Sequence, residues 1–123
     1  MNILIDTHIF LWLLKSPKKL SQQQVKIFEN SQYQFYLSVI SITELMIKSS
    51  IGKLALNFDP IQAAIDSGHN ILPYHAIDAV ALADLPFHHK DPFDRMLIAQ
   101  AKAQNMKIMS SDGVFGLYGD VIN

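Results

Sequence analysis

Asn2-Ile3-Leu4-Ile5-Asp6-Thr7-His8-Ile9-Phe10-Leu11-Trp12-Leu13-Leu14 is the stretch that decides the fold. Its first part is a short run rich in β-branched and aliphatic residues, the composition of a buried strand. From Thr7 the pattern turns helical, with Phe10, Leu11, Leu13 and Leu14 apolar up to about Lys15, and Pro17 lies just beyond. Asp6 stands at the junction. A buried strand running into a helix is the opening unit of a sheet covered by helices.

Outward from this unit the same alternation continues. Ser21 to Asn30 reads as a helix with Val25 and Phe28 inward, Gln34 to Val39 as a strand, and Ser41 to Ser50 as a helix stopped near Gly52. Pro60 to Gly68 is another helix, with Pro60 suited to its first turn. Ile71-Leu72 is a brief strand and His75 to Leu85 a helix ended before Pro86. Pro92 to Gln104 is the most periodic helix. Lys107 to Ser110 is a strand followed by a turn at Asp112-Gly113, and Tyr118 to Ile122 a last short strand. The alternation predicts an α/β three-layer sandwich with a central, mostly parallel sheet flanked by helices. Ligands of such sheets bind beyond the carboxyl ends of the strands.

The 123 residues have the length of one domain, expected to span 1–123. Half the residues are apolar, no run reaches the roughly 18 that a membrane helix needs, and cysteine is absent. Thiolate metal sites, disulfides and thiol nucleophiles are thereby excluded, and a cytoplasmic setting with no membrane partner is expected. Ten Lys plus Arg against eleven Asp plus Glu gives no overall basic footprint. A nucleic-acid ligand would then rely on a local patch.

Four acids share a pattern that the others lack. Asp6 ends the first strand, where its plain role is to cap the following helix. Glu44 lies on one stripe with Ile40, Ile47 and Ile51, which puts a carboxylate on an inward face; the rival role is a capping box with Ser41. Asp94 shares a face with Ile98 and Ala101; the helix dipole alone would also favour an acid there, and Asp91 reads as the N-cap. Asp112 follows the late strand in a turn that favours Asp anyway. Jointly, two acids after strands and two on inward stripes can converge at one end of the sheet. Such a cluster needs a cation, and oxygen-only ligation suits Mg²⁺ or Mn²⁺, one or two ions of which hydrolyse phosphodiesters. Glu29, Asp59, Asp66, Asp78, Asp84, Asp91 and Asp120 need only solvated or capping roles.

Asp6-Thr7-His8 after the opening strand, Ser41-Ile42-Thr43-Glu44-Leu45, His88-His89-Lys90-Asp91-Pro92-Phe93-Asp94-Arg95 with its helix, and Ser111-Asp112-Gly113-Val114-Phe115 together resemble PIN-domain proteins. Within that family the chain resembles the VapC-type toxins of bacterial toxin–antitoxin pairs. The resemblance covers essentially the whole chain and implies a parallel sheet flanked by helices and a metal-dependent endoribonuclease. Asp6, Glu44, Asp94 and Asp112 match its four metal-coordinating acids. Thr7 matches a hydroxyl position beside the first acid, and Arg95 follows Asp94 as in one subgroup. The resemblance also implies Mg²⁺ or Mn²⁺, an RNA substrate, a cognate antitoxin and a homodimer.

Among the remaining residues, His89, Lys48, Lys53, Lys90 and Arg95 are candidates for RNA contacts, against ordinary solvated charge. Asp91 has a possible secondary role beside the metal. Trp12 and its apolar neighbours read as core or partner interface. His-Glu-x-x-His, Gly-rich phosphate loops and nucleophile elbows are absent. Competing readings are a metal-dependent phosphatase or DNA-directed nuclease, and a catalytically silent interaction module in which the acids merely cap helices.

Overall fold

A computed structural model of the chain describes residues 1–119 and 121–123. In chain order it contains β1 (Asn2–Ile5), α1 (Thr7–Lys15), α2 (Gln22–Phe28), β2 (Gln34–Ser38), α3 (Val39–Ser50), α4 (Pro60–Asp66) and β3 (Asn70–Leu72). The elements α5 (Ala76–Val80), α6 (Pro92–Ala103), β4 (Lys107–Met109) and β5 (Val121–Ile122) follow. Short 3-10 turns occupy Pro17–Lys19, Ala81–Asp84 and Gly113–Tyr118.

The five strands form one sheet in the order β3-β2-β1-β4-β5, and all four pairings are parallel. This is the expected α/β architecture, with a wholly parallel sheet rather than a mostly parallel one. Successive residues of β1 point to opposite faces, and Ile3, Leu4 and Ile5 are all apolar because helices cover both. Ile3 and Ile5 pack with Ile9 and Phe10 of α1, Leu37, Leu45 of α3 and Ala64 of α4. Leu4 packs on the other face with Ile108, Leu97 and Ile98 of α6, Leu85 and Phe115.

Two features place a crevice. The chain runs from β1 outward to β2 and β3, then returns to β4 on the other side of β1. The switch point therefore lies between β1 and β4, where the Asp6 amide bonds Met109 O at 3.0 Å and Ser110 follows the next strand. Moreover, α3 begins directly where β2 ends, so its first turns lie against the carboxyl edge. It packs Ile40 into one core and Leu45 into the other.

Several local expectations are corrected. Ser38, not Ser41, caps α3 by accepting the Ile40 amide at 3.0 Å, so the helix starts two residues early and Glu44 lies inside it. The stripe proposed for α3 is inward only at first: Ile40 and Glu44 are buried, whereas Ile47 and Ile51 are 43% and 59% exposed. The helix outruns the sheet edge, and Gly52, at φ 77°, ends it. In α2 Phe28 packs on the core as expected, but Gln24, fully buried, takes the inward place expected of the exposed Val25. Residues 113–118 form a 3-10 turn where loop and the start of a strand were expected, and β5 covers only Val121–Ile122. Asp120 lies outside the described residues. Among the described residues no helix is long and apolar enough to cross a membrane.

Candidate active site

Asp6 is 4% exposed. Its Oδ1 accepts the Ile9 amide at 2.8 Å, so the capping role is real, and the Ser110 hydroxyl bonds the same carboxylate. Burial is the main reason its carboxyl is held above the ordinary range, with Asp112 adding to the effect; the bonds from Ser110 and Ile9 and the nearness of His8 pull the other way. Ser110 Oγ also accepts the Asp112 amide at 3.1 Å, so one buried hydroxyl ties the two acids together. Asp112 is exposed and caps the Gly113–Tyr118 turn through Val114 N at 3.0 Å. Beside this pair is an open pocket of about 250 Å³ lined by Asp6, His8, Trp12, Ser111 and Asp112. Gln24 props its wall by donating to Ser111 Oγ at 3.0 Å.

Glu44 is 3% exposed, and both its oxygens are engaged. Oε1 accepts the Thr7 hydroxyl at 2.7 Å, and Oε2 accepts Lys48 Nζ at 2.6 Å. Ser41 Oγ lies 2.9 Å from the same Thr7 hydroxyl. That hydroxyl has one proton, which goes to the carboxylate; Ser41 therefore donates to it. Capping is excluded for Glu44, whose partners come from another helix and from its own next turn.

Asp94 opens α6, with its amide bonded to Asp91 Oδ1 at 3.0 Å; Asp91 is the expected N-cap and Pro92 the first helical residue. Burial first, then the charges of Asp91 and Glu44, push the Asp94 carboxyl up to about 6, against opposing effects of His89. His89 Nε2 lies 3.4 Å from Asp94 Oδ2, and its Nδ1 is 2.9 Å from Tyr118 Oη. Tyr118 accepts from the His88 amide at 3.1 Å and Arg95 at 3.3 Å, so its own proton goes to His89 Nδ1. That tautomer leaves the His89 Nε2–H facing Asp94. Arg95 also bonds Pro86 O at 2.9 Å and stacks 4.5 Å over Phe87, pinning the segment before α6.

The acids therefore form two groups: Asp6 with Asp112, and Glu44 with Asp94 and Asp91. They are joined by Thr7, which follows Asp6 and bonds Glu44. Among the described residues, no three His, Cys, Asp or Glu side chains approach closely enough to share one ion. Lys90 and His88 are exposed beside α6, Lys53 is exposed beyond α3, and Lys48 is committed to Glu44. Ser110 and Tyr118 were not singled out from the sequence, which carries no spacing signal for them, and Ser41 was read as a cap rather than as the partner of Thr7. A larger hollow of about 490 Å³ opens at the amino end of the sheet, and its described lining residues, Met1, Asn2, Asn105, Met106 and Lys107, include no acid.

The sequence model of the PIN domain matches residues 3–120. The chain belongs to the PIN-domain family. Its structural neighbours are the toxin chains of VapBC and FitAB complexes. VapBC2 from Rickettsia felis, bound to a promoter DNA fragment, superposes with a TM-score of 0.73 at 16% identity, over 99% of this chain and 96% of that one. DNA-bound VapBC from Salmonella typhimurium gives 0.69 at 15%, covering 98% and 95%. FitAcB from Neisseria gonorrhoeae gives 0.65 at 20%, covering 98% and 96%. At these identities the likeness is one of fold. No curated protein sequence matches the chain.

PIN nucleases generally use divalent metals, and the donor set of this PIN domain fits such an ion. All its donors are carboxylate oxygens, and Mg²⁺ takes one or two carboxylates while keeping several waters, which suits acids spread over two groups. A cation already stands against one of them, the Lys48 ammonium on Glu44.

Proposed function

We propose that this PIN domain is a metal-dependent endoribonuclease acting as the toxin of a toxin–antitoxin pair. The observation that carries the reading is the placement of two buried carboxylates, Asp6 and Glu44, at the carboxyl end of the sheet and joined through Thr7. Buried acids are costly unless paired or coordinated, and a fold retains them where they have work to do. Asp6, Glu44, Asp94 and Asp112 would hold one or two Mg²⁺ or Mn²⁺ ions. When bound, such an ion activates a water and offsets charge on the leaving oxygen of a phosphodiester.

The chain's own residues do the positioning. Ile9 N and Ser110 fix Asp6, Thr7 and Lys48 fix Glu44, and the Tyr118–His89 pair fixes Asp94. Asp91 caps α6 and adds negative charge beside Asp94. Exposed Lys90 flanks the crevice and supplies a donor for the RNA backbone, whereas His89 has both ring nitrogens turned to Tyr118 and Asp94. Ile77, Val80 and Phe87, 61%, 67% and 70% exposed, offer an apolar surface suited to a second copy. The toxin–antitoxin complexes among its structural neighbours support an antitoxin partner.

Purified protein free of any partner, incubated with a mixed structured RNA, is expected to cut it in Mn²⁺ or Mg²⁺ and not in EDTA. Asp94→Asn should be inactive. Cleavage that persists in EDTA, or in the variant, removes the catalytic role of the acids, and no cleavage by wild type in either metal leaves the interaction module.

A further inference from the structure

Lys48 follows Glu44 by one helical turn, the orientation in which a Glu–Lys pair is most favourable. On an open helix surface such a pair contributes a few tenths of a kcal/mol. Here the carboxylate is 4% exposed at its side chain, whereas the lysine is 39% exposed. Loss of the ammonium would strand a buried charge.

We propose that Lys48 is a built-in counter-ion of the acidic site and competes with a divalent cation for Glu44. This inference rests on the metal-dependent reading above. Each Glu44 oxygen holds one donor, Thr7 on Oε1 and Lys48 Nζ at 2.6 Å on Oε2, so a cation that takes this carboxylate meets the ammonium on the same oxygen or on its neighbour. An ammonium and a divalent cation sharing one oxygen repel strongly. The half-exposed lysine is the mobile partner, and its four-carbon stem lets it swing toward solvent. The device keeps Glu44 neutralised without metal and lowers the affinity for metal.

The test uses Lys48→Met, which keeps the stem and removes the charge, with Lys48→Gln as a second neutral variant that retains a donor for Glu44. Free Mn²⁺ is followed by electron paramagnetic resonance during titration of each protein, and melting temperatures are taken in EDTA and in Mn²⁺. Both variants should bind Mn²⁺ about tenfold more tightly than wild type, melt lower in EDTA, and gain more from Mn²⁺. Equal or weaker Mn²⁺ binding in both variants, with wild type binding normally, overturns the Lys48 inference alone. Absence of Mn²⁺ binding in wild type and variants overturns it together with the metal-dependent reading.

Discussion

His69, just before β3, gives the stability of this protein a specific dependence on pH. The side chain is 6% exposed, and its ring centroid lies 5.8, 6.0 and 6.4 Å from those of Phe35, Phe28 and Phe10. Its Nδ1 has no hydrogen-bond partner among the described residues. Burial among these rings pushes its pKa down to about 4. The unfolded chain takes up this proton near pH 6.5 and the folded chain only near 4. Stability from His69 is therefore complete above 6.5 and is lost as the pH falls from 6.5 to 4. A shift of about 2.5 pH units corresponds to a loss of about 3 kcal/mol, of which about 2 kcal/mol is gone by pH 5. Asp94 acts in the opposite sense. Its raised pKa, about 6, gives stability present below its ordinary 3.8 and lost as the pH rises through 6. The wild-type profile should accordingly be flatter than His69 alone would make it, and only a difference measurement isolates the imidazole. Urea unfolding of wild type and His69→Leu in EDTA, at pH 7.5 and pH 5, supplies that difference. The variant should gain about 2 kcal/mol on wild type between the two pH values. A wild-type-minus-variant difference independent of pH would refute the reasoning, since the ring would then titrate alike in both states.

Other substitutions probe the supports of the site. Thr7→Val removes the donor to buried Glu44 and should cost about 1–3 kcal/mol in urea unfolding, with Mn²⁺ affinity reduced about tenfold or more. Gln100→Leu breaks a fully buried network in which Gln100 donates to Asp78 at 2.9 Å and Pro73 O at 3.0 Å and accepts from Ser38 at 2.5 Å. It should destabilise the chain by about 2–3 kcal/mol in the same assay. Tyr118→Phe removes the hydroxyl that collects the His88 amide, His89 and Arg95. The His88 amide should then exchange with solvent faster in hydrogen-exchange measurements, while the amides of β1 keep their protection.

The legible parts of the sequence were those where the local pattern and the tertiary environment agree. Asn2–Ile5 is apolar at Ile3, Leu4 and Ile5 because both faces are covered, and Asp6 and Asp91 cap helices as their positions suggest. The four acids were legible by position, although they meet as two groups linked through Thr7 rather than as one shell. Other features depend on packing that no spacing records. Ser38 and Ser41 are equally good caps by composition; the direct passage of β2 into α3 selects Ser38 and leaves Ser41 to bond Thr7. Ile47 and Ile51 continue the helical period past the sheet edge into solvent. Asp78, expected to be solvated or to cap, does cap α5 by accepting the His75 amide at 2.9 Å but is fully buried. Burial opposes its charge, but bonds from Gln104, the His75 amide and Gln100, together with His75, outweigh that and hold its carboxyl below the ordinary range. Long-range polar partners such as Gln100 and Tyr118 leave no trace in periodicity, because the bond is made with a residue distant in the chain.

The nuclease reading rests on Asp6 and the three other acids. The initial rate of cleavage of an end-labelled RNA in Mn²⁺, by wild type and by Asp6→Asn of equal thermal stability, tests it most directly. Partners that only orient a metal ligand cost 10–100-fold when lost, so losing a ligand itself should reduce the rate at least about a hundredfold. An Asp6→Asn protein that cuts as fast as wild type would contradict the account and return Asp6 to its capping role alone.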